Sequence, residues 1–180
     1  VLSSCYLGRS EAEVEAYFRR GLAVEPTYDG LYLDRAHLLR PQWGGAPGAV
    51  ATLAAEAADL TRAELGESLY ARLAIAAWRW SAGKPFTDYG FDWDRTRRGM
   101  EDLLRLYPGS GRNLHWFIRL ACGARDRPLA RRLLSGPGAG WSDEVETVWT
   151  VRQNYEDARA WALAAESPPW SELPPAQWPA

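Results

Sequence analysis

The sequence predicts an all-α chain, a tetratricopeptide-like stack of antiparallel helical hairpins. Apolar residues recur at three- and four-residue spacing through most of the chain up to about Ala165. Proline or glycine closes nearly every such stretch, and no apolar/polar alternation of comparable length competes with them.

Ser10 followed by Glu13 forms a capping box. Behind it Val14, Tyr17, Phe18, Gly21 and Leu22 share one helical face, while Glu15, Arg19 and Arg20 take the other. This helix is expected to end before Pro26, and a second to run from about Tyr28 to Leu39, where Pro41 closes it. So short a joint forces the pair back into a hairpin. The segment from Gln42 to Gly48 predicts a loop, and Pro47 suits the first turn of a helix reaching about Glu64. Gly66 marks the next boundary. From Glu67 to Ser81 the residues Leu69, Leu73, Ile75, Ala76, Trp78 and Trp80 go nearly all the way round, leaving Arg72 and Arg79 as a narrow polar stripe. That helix is predicted to be the most buried.

Residues 82–91 read as an aromatic loop, after which Asp92 caps a helix with the core stripe Trp93, Met100, Leu103, Leu104 and Tyr107. Its outer face pairs Asp94 with Arg98 and Arg97 with Glu101. Pro108 ends it. Asn113 is read as the cap of the next helix, whose Leu114, Trp116, Phe117, Ile118, Leu120 and Ala121 are largely buried. A short helix follows from Asp126 through Leu134, and the run from Gly136 to Gly140 breaks it. Ser142, with Asp143 and Glu144, starts a last helical stretch to about Ala165. The helical domain is placed at residues 1–166, and residues 167–180 form a proline-rich tail, peripheral or disordered, whose Trp170 and Trp178 offer a docking peptide as the alternative. A faint repeat relates two segments: Phe18, Leu22 and Pro26 recur as Met100, Leu104 and Pro108.

Composition bounds the rest. A hydrophobic content of 47% with 24% charged residues is that of a folded domain. The net charge of −2 argues against nucleic acid as the main partner. No apolar run approaches the roughly 20 residues of a membrane span. Cys5 and Cys122 are too few and too distant in sequence for a disulfide scaffold, so a cytoplasmic setting is expected. Because the chain opens on Val1-Leu2 without an initiator methionine, it reads as an excised domain, and the part left out could have carried a targeting segment.

One run is more particular: Glu25-Pro26-Thr27-Tyr28, then Tyr32, Arg35 and Ala36, then Leu38-Leu39-Arg40-Pro41-Gln42-Trp43-Gly44-Gly45. With Gly66, Tyr70, Trp93, Gly99, Tyr107-Pro108, Asn113, Ala121-Cys122 and Trp149, this run resembles a bacterial family, domain of unknown function 4034, over about residues 7–165. The chain departs from that pattern at Gln42, where a basic residue is expected, and near Leu53, where an aromatic one is. The resemblance implies a helical-repeat fold and a larger parent protein. It implies no activity.

In tetratricopeptide-like stacks the first helix of each pair lines the concave face, and by that resemblance Tyr32, Arg35, His115, Trp116 and Arg119 are the binding candidates. Arg35 falls within an apolar arc, so either an ion pair or a ligand must satisfy its charge. His115, Arg119 and Cys122 share a narrow strip, but His115 and Cys122 are about 10 Å apart along the axis, too far to share a metal unaided. His37 lies on the polar side of its helix. Asp88, Asp92 and Asp94 lack the further acids and ordered glycine of a calcium loop. Gly136, Gly138 and Gly140 have no preceding strand and no following lysine, so they read as a breaker rather than a phosphate cradle. Trp43, Gly44 and Gly45 read as a structural joint in which the indole plugs the space between hairpins; an exposed binding knob is the alternative.

The functional expectation is a protein-interaction or scaffolding module with a protein or peptide partner, no cofactor and no bound metal. The competing readings are an enzyme or regulatory half-domain centred on His115/Arg119 or on Asp88/Asp92/Asp94, and a structural half-domain completing an absent N-terminal part.

Overall fold

A computed structural model describes Gly8 and residues 10–165; Cys5, Trp170, Trp178 and the tail from Ser167 lie outside the described residues. Among the described residues there are α-helices and one short 3-10 turn, with no strand. In order they are α1 (Glu11–Val24), α2 (Asp29–Leu38), the 3-10 turn (Pro41–Trp43), α3 (Ala49–Leu65), α4 (Ser68–Trp80), α5 (Pro85–Asp88), α6 (Trp93–Leu106), α7 (Gly111–Gly123), α8 (Arg127–Leu134), α9 (Asp143–Trp149) and α10 (Arg152–Leu163).

Local chemistry sets most boundaries. Glu13 N–H donates to Ser10 Oγ at 3.4 Å and Ser10 N–H donates back to the Glu13 carboxylate at 2.9 Å, so two otherwise orphaned donors are satisfied at the start of α1. Asp92 caps α6 by accepting from Arg95 N–H at 2.7 Å. Four expectations need correction. Asn113 is not the cap of α7: its N–H is the donor and Ser110 Oγ the acceptor, at 3.2 Å, so the helix begins three residues earlier. Pro47 stands just outside α3, which starts after Gly48 in a left-handed conformation. Residues 82–91 contain one helical turn, α5. The last stretch is two helices rather than one, because Thr150 adopts φ 68° and ψ −47°, and Asn154 Nδ2 donates to the Trp149 carbonyl there at 2.8 Å. On the outer face of α6, Arg97 takes both Asp94 (4.0 Å) and Glu101 (3.7 Å).

The centre of the molecule is α4, with α3 on one side, α6 on the other and α2 across both α3 and α4. Its Leu69, Leu73, Ala74 and Ala77 enter a first core with Phe18, Tyr32, Val50 and Phe91. Its Ala71 and Trp78 enter a second core with Met100, Leu103, Ile118, Trp149 and Trp161. Each large apolar side chain so buried contributes about 1.5–3 kcal/mol. Further along, α7 packs on α6, α8 and α9, and α10 closes on α8 and α9. The Arg72 and Arg79 stripe stays at the surface of α4, as its pattern predicts, Arg72 half-buried and Arg79 exposed.

Polar contacts tie the two cores. Arg95 on α6 donates to Glu67 (2.6 Å), to Asp59 (2.6 Å) and to the Ala55 carbonyl (3.2 Å), and its guanidinium lies over the Tyr70 ring. Tyr70 Oη in turn accepts from Asp92 N–H at 2.9 Å. At the far end Arg127 donates to the Trp161 carbonyl and Arg131 to the Ala162 carbonyl, each at 3.0 Å, and both reach the Ala164 carbonyl. Two cations of α8 thus satisfy the carbonyls that α10 leaves open at its C-terminus, where positive charge is favoured.

Candidate functional site

Three helices that are distant in sequence form an open groove of about 350 Å³. On α4 the residues Arg72, Ile75, Ala76, Arg79 and Trp80 recur at three- and four-residue spacing, so one face supplies the groove's length. From α2 comes Leu33, and from the first turns of α7 come Arg112, Asn113 and Trp116. Leu33, Ile75 and Ala76 make an apolar floor. Three guanidinium groups stand at its rim, and no carboxylate lines it.

The three arginines differ in what holds them. Arg72 is bonded to Asp29 at 3.0 Å and lies over the Tyr107 ring, 5.3 Å from its centroid. Arg79 lies over the Trp116 ring at 5.7 Å. Arg112 is exposed, and among the described residues neither it nor Arg79 has a carboxylate partner. Behind the wall Arg119 is buried, 4% exposed, with its guanidinium over the rings of Trp78 (5.3 Å), Trp116 (5.7 Å) and Trp149 (5.7 Å). Burial, and then the charge of Arg79, bring its pKa down to about 10, so it remains a cation at neutral pH and adds to the positive potential there.

The residues singled out from sequence do not converge on this groove. Trp116 lines it and Arg119 lies behind it. Tyr32 is 1% exposed, edge-on to Phe18, with its hydroxyl donating to the Pro26 carbonyl at 2.7 Å, so it is a core residue and not a binding one. Arg35 turns toward α1, where it pairs with Glu15 at 3.3 Å and with Glu11 at 3.9 Å. Its charge is met by carboxylates of the fold.

His115 is fully buried in the second core. Trp149 Nε1–H donates to its Nδ1 at 2.8 Å, which places the ring proton of the neutral form on Nε2. Burial pushes its pKa below the ordinary histidine value, against a smaller opposite pull from the backbone of Gly138 and Gly140 and from Glu144. Cys122 is also fully buried, and burial pushes its thiol up to about 12, so it behaves as a small apolar residue rather than a nucleophile. Neither has access to a substrate.

Trp43 is 62% exposed, so the plug reading is wrong: no hairpin packs over that indole. It leans on the His37 ring (centroids 6.2 Å apart), which meets Trp80 edge-on at 5.8 Å. The neighbouring glycines do permit a close approach. Gly44 sits at φ 87°, and a Cβ on Gly45 would run into the Leu39 carbonyl. Among the three aspartates, Asp92 caps α6, Asp94 faces Arg97 and Asp88 accepts from Thr87 Oγ1 at 3.0 Å. Among the described residues no three His, Cys, Asp or Glu side chains gather closely enough to hold a metal ion. The Gly136–Gly140 loop borders a different, shallow cleft of about 700 Å³ in which Arg152, Glu156 and Arg159 mix both signs of charge.

Sequence reasoning missed Arg112 altogether and read Arg72 and Arg79 only as a narrow polar stripe. The available signal was that two arginines on an otherwise apolar helix lay on one face, two turns apart. No family model, no curated protein and no solved structure matches the chain, so its functional reading rests on this groove.

Proposed function

We propose that the chain is a protein-interaction module, a tetratricopeptide-like stack of helical hairpins within a longer bacterial protein of the family it resembles, and that a partner segment docks in the α2/α4/α7 groove. The packing is consistent with consecutive hairpins: α1 with α2, α3 with α4, α6 with α7. Joints of a few residues fold such helices back on one another. Phe18 and Met100, which occupy matching places in α1 and α6, are both buried. Paired in this way, the second helix of each hairpin lines the groove, not the first.

The observation that carries the reading is the groove itself: an apolar floor under three guanidinium groups with no carboxylate in its lining. Exposed concave surfaces with a few convergent polar groups are where ligands bind. The enzyme alternative has less support, because His115 and Arg119 are buried in the core, Asp92 caps α6, Asp94 faces Arg97, and Asp88 accepts from the neighbouring Thr87 hydroxyl.

A photo-crosslinking residue at Asn113 tests the reading in cells, with a second one at Glu64, an exposed position on α3, as the comparison. The expected result is a discrete protein adduct from position 113 that is absent from position 64 and lost in Arg79→Glu/Arg112→Glu. Adducts that are the same from both positions, or that survive the double charge reversal, would refute it.

A further inference from the structure

Resting on that reading, we infer that the groove selects an acidic peptide segment carrying an apolar anchor residue, rather than a neutral peptide or a nucleic acid. The inference concerns the chemistry of the occupant. Arg79 and Arg112 project positive charge that no carboxylate of the described fold neutralises, and Arg119 lies close behind with a third. The Asp29 carboxylate is spent on Arg72. An incoming Asp or Glu therefore meets, at Arg79 and Arg112, guanidinium groups with no internal carboxylate to give up. Charge-assisted hydrogen bonds from a planar guanidinium to a carboxylate are among the stronger polar contacts.

The floor adds the second requirement. Leu33, Ile75 and Ala76 present only hydrocarbon, and about 350 Å³ is room for one or two aliphatic or aromatic side chains. Burying such an anchor supplies the non-directional part of the binding, while the flanking acids fix its register.

Single-stranded nucleic acid is the competing polyanion, since it too is met by arginine interleaved with aromatic residues. The rings here are poorly placed for it. Trp116 already carries the Arg79 and Arg119 guanidinium groups, and Trp80 carries Arg40 at 5.1 Å and the edge of His37. Stacked bases would have to displace them. The chain as a whole is also negative, at −2, and does not offer the extended basic field that steers polyanions.

Selection of a displayed library of random twelve-residue peptides on the full chain tests this directly, with Arg79→Glu/Arg112→Glu as the counter-selection. The expected winners are enriched in Asp and Glu around a Leu, Ile, Phe or Trp. Their affinity should fall at least tenfold in the double variant and again on raising salt, with the variant's melting curve unchanged. Groove-dependent winners without an acidic bias would overturn the inference while leaving the docking reading intact. Winners indifferent to the double variant, or no winners at all, would overturn both. A random single-stranded oligonucleotide binding the groove more tightly than the selected peptides would overturn it in favour of nucleic acid.

Discussion

Replacing Gly99 by alanine sets two effects of opposite sign against each other. Gly99 lies inside α6, where Ala is favoured over Gly by about 1 kcal/mol on propensity alone. Taken by itself, that would raise the melting temperature. Yet α6 crosses α4 here, and an added Cβ would come 2.8 Å from Ala71 Cβ and nearer still to the Glu67 backbone carbonyl, where ordinary contact starts at 3.4 Å. The helices would have to part by more than half an ångström at the joint between the two cores. Overpacking of a close-packed interior costs about 1–3 kcal/mol, and here the obstacle is main chain that has no rotamer to change. A rigid obstacle puts the cost in the upper part of that range, about 2–3 kcal/mol, so after the propensity gain the net expectation is a loss of about 1–2 kcal/mol, which for a domain of this size lowers Tm by about 2–8 °C. Gly30→Ala is the matched control: the three atoms nearest its Cβ all belong to the side chain of Tyr28, which is 59% exposed and can swing away. That variant should hold or raise Tm. Thermal melts followed by circular dichroism read both. A Gly99→Ala protein as stable as the parent would mean that the α4/α6 crossing is not as close as described.

The buried histidine should make the second core sensitive to mild acid. Because the folded pKa of His115 lies below its unfolded value near 6.5, stability is complete above that pH and is lost as pH falls below it, by at most about 1.4 kcal/mol per pH unit until the folded pKa is reached. Urea unfolding at pH 7.5 and 5.5 should show a steeper loss in the parent than in His115→Gln, which keeps an acceptor for Trp149 but does not titrate; equal losses would assign the effect elsewhere, for instance to His37, whose pKa is also lowered by burial and by Arg40. At the surface, Trp43→Ala should change stability by no more than about 0.5 kcal/mol, the usual range for an exposed side chain, instead of the 3–5 kcal/mol typical of truncating a buried tryptophan. A drop in Tm of more than a few degrees would restore the plug.

The helices were legible because their signals are local. Capping boxes, closing prolines and three-four periodicity act within a few residues, so α1, α2, α4, α6 and α8 fall where the pattern puts them. The misses have equally definite causes. Thr150 carries no glycine or proline to announce its positive φ, so the α9/α10 break is invisible until Asn154 is seen bonded to the Trp149 carbonyl. Asn113 and Ser110 are both good caps, and only the folded backbone chooses between them. Trp43 was misplaced because a large indole is usually buried, and nothing in the sequence says whether a neighbour arrives to cover it.

The α2/α4/α7 groove is a harder case, because one sequence pattern had three structural outcomes. Arg35, Arg79 and Arg119 each stand on a helix whose surroundings are largely apolar. Arg35 is met by the carboxylates of α1, Arg119 is enclosed by three indoles, and Arg79 is left at an opening between α2, α4 and α7. What separates them is the element that packs alongside, and that is a tertiary fact with no counterpart in spacing. Elsewhere the arginines of this chain have evident structural work: Arg95 joins α3, α4 and α6, while Arg127 and Arg131 close the end of α10. Arg79 and Arg112 join no such network. Arginine is costly to gather at one place without counter-charge, since like charges repel and three long side chains must be held near one another. The fold supplies carboxylates to Arg35, Arg62, Arg72 and Arg95, yet among the described residues it supplies none to Arg79 and Arg112, and it is these two unmet charges that the proposed acidic segment would answer.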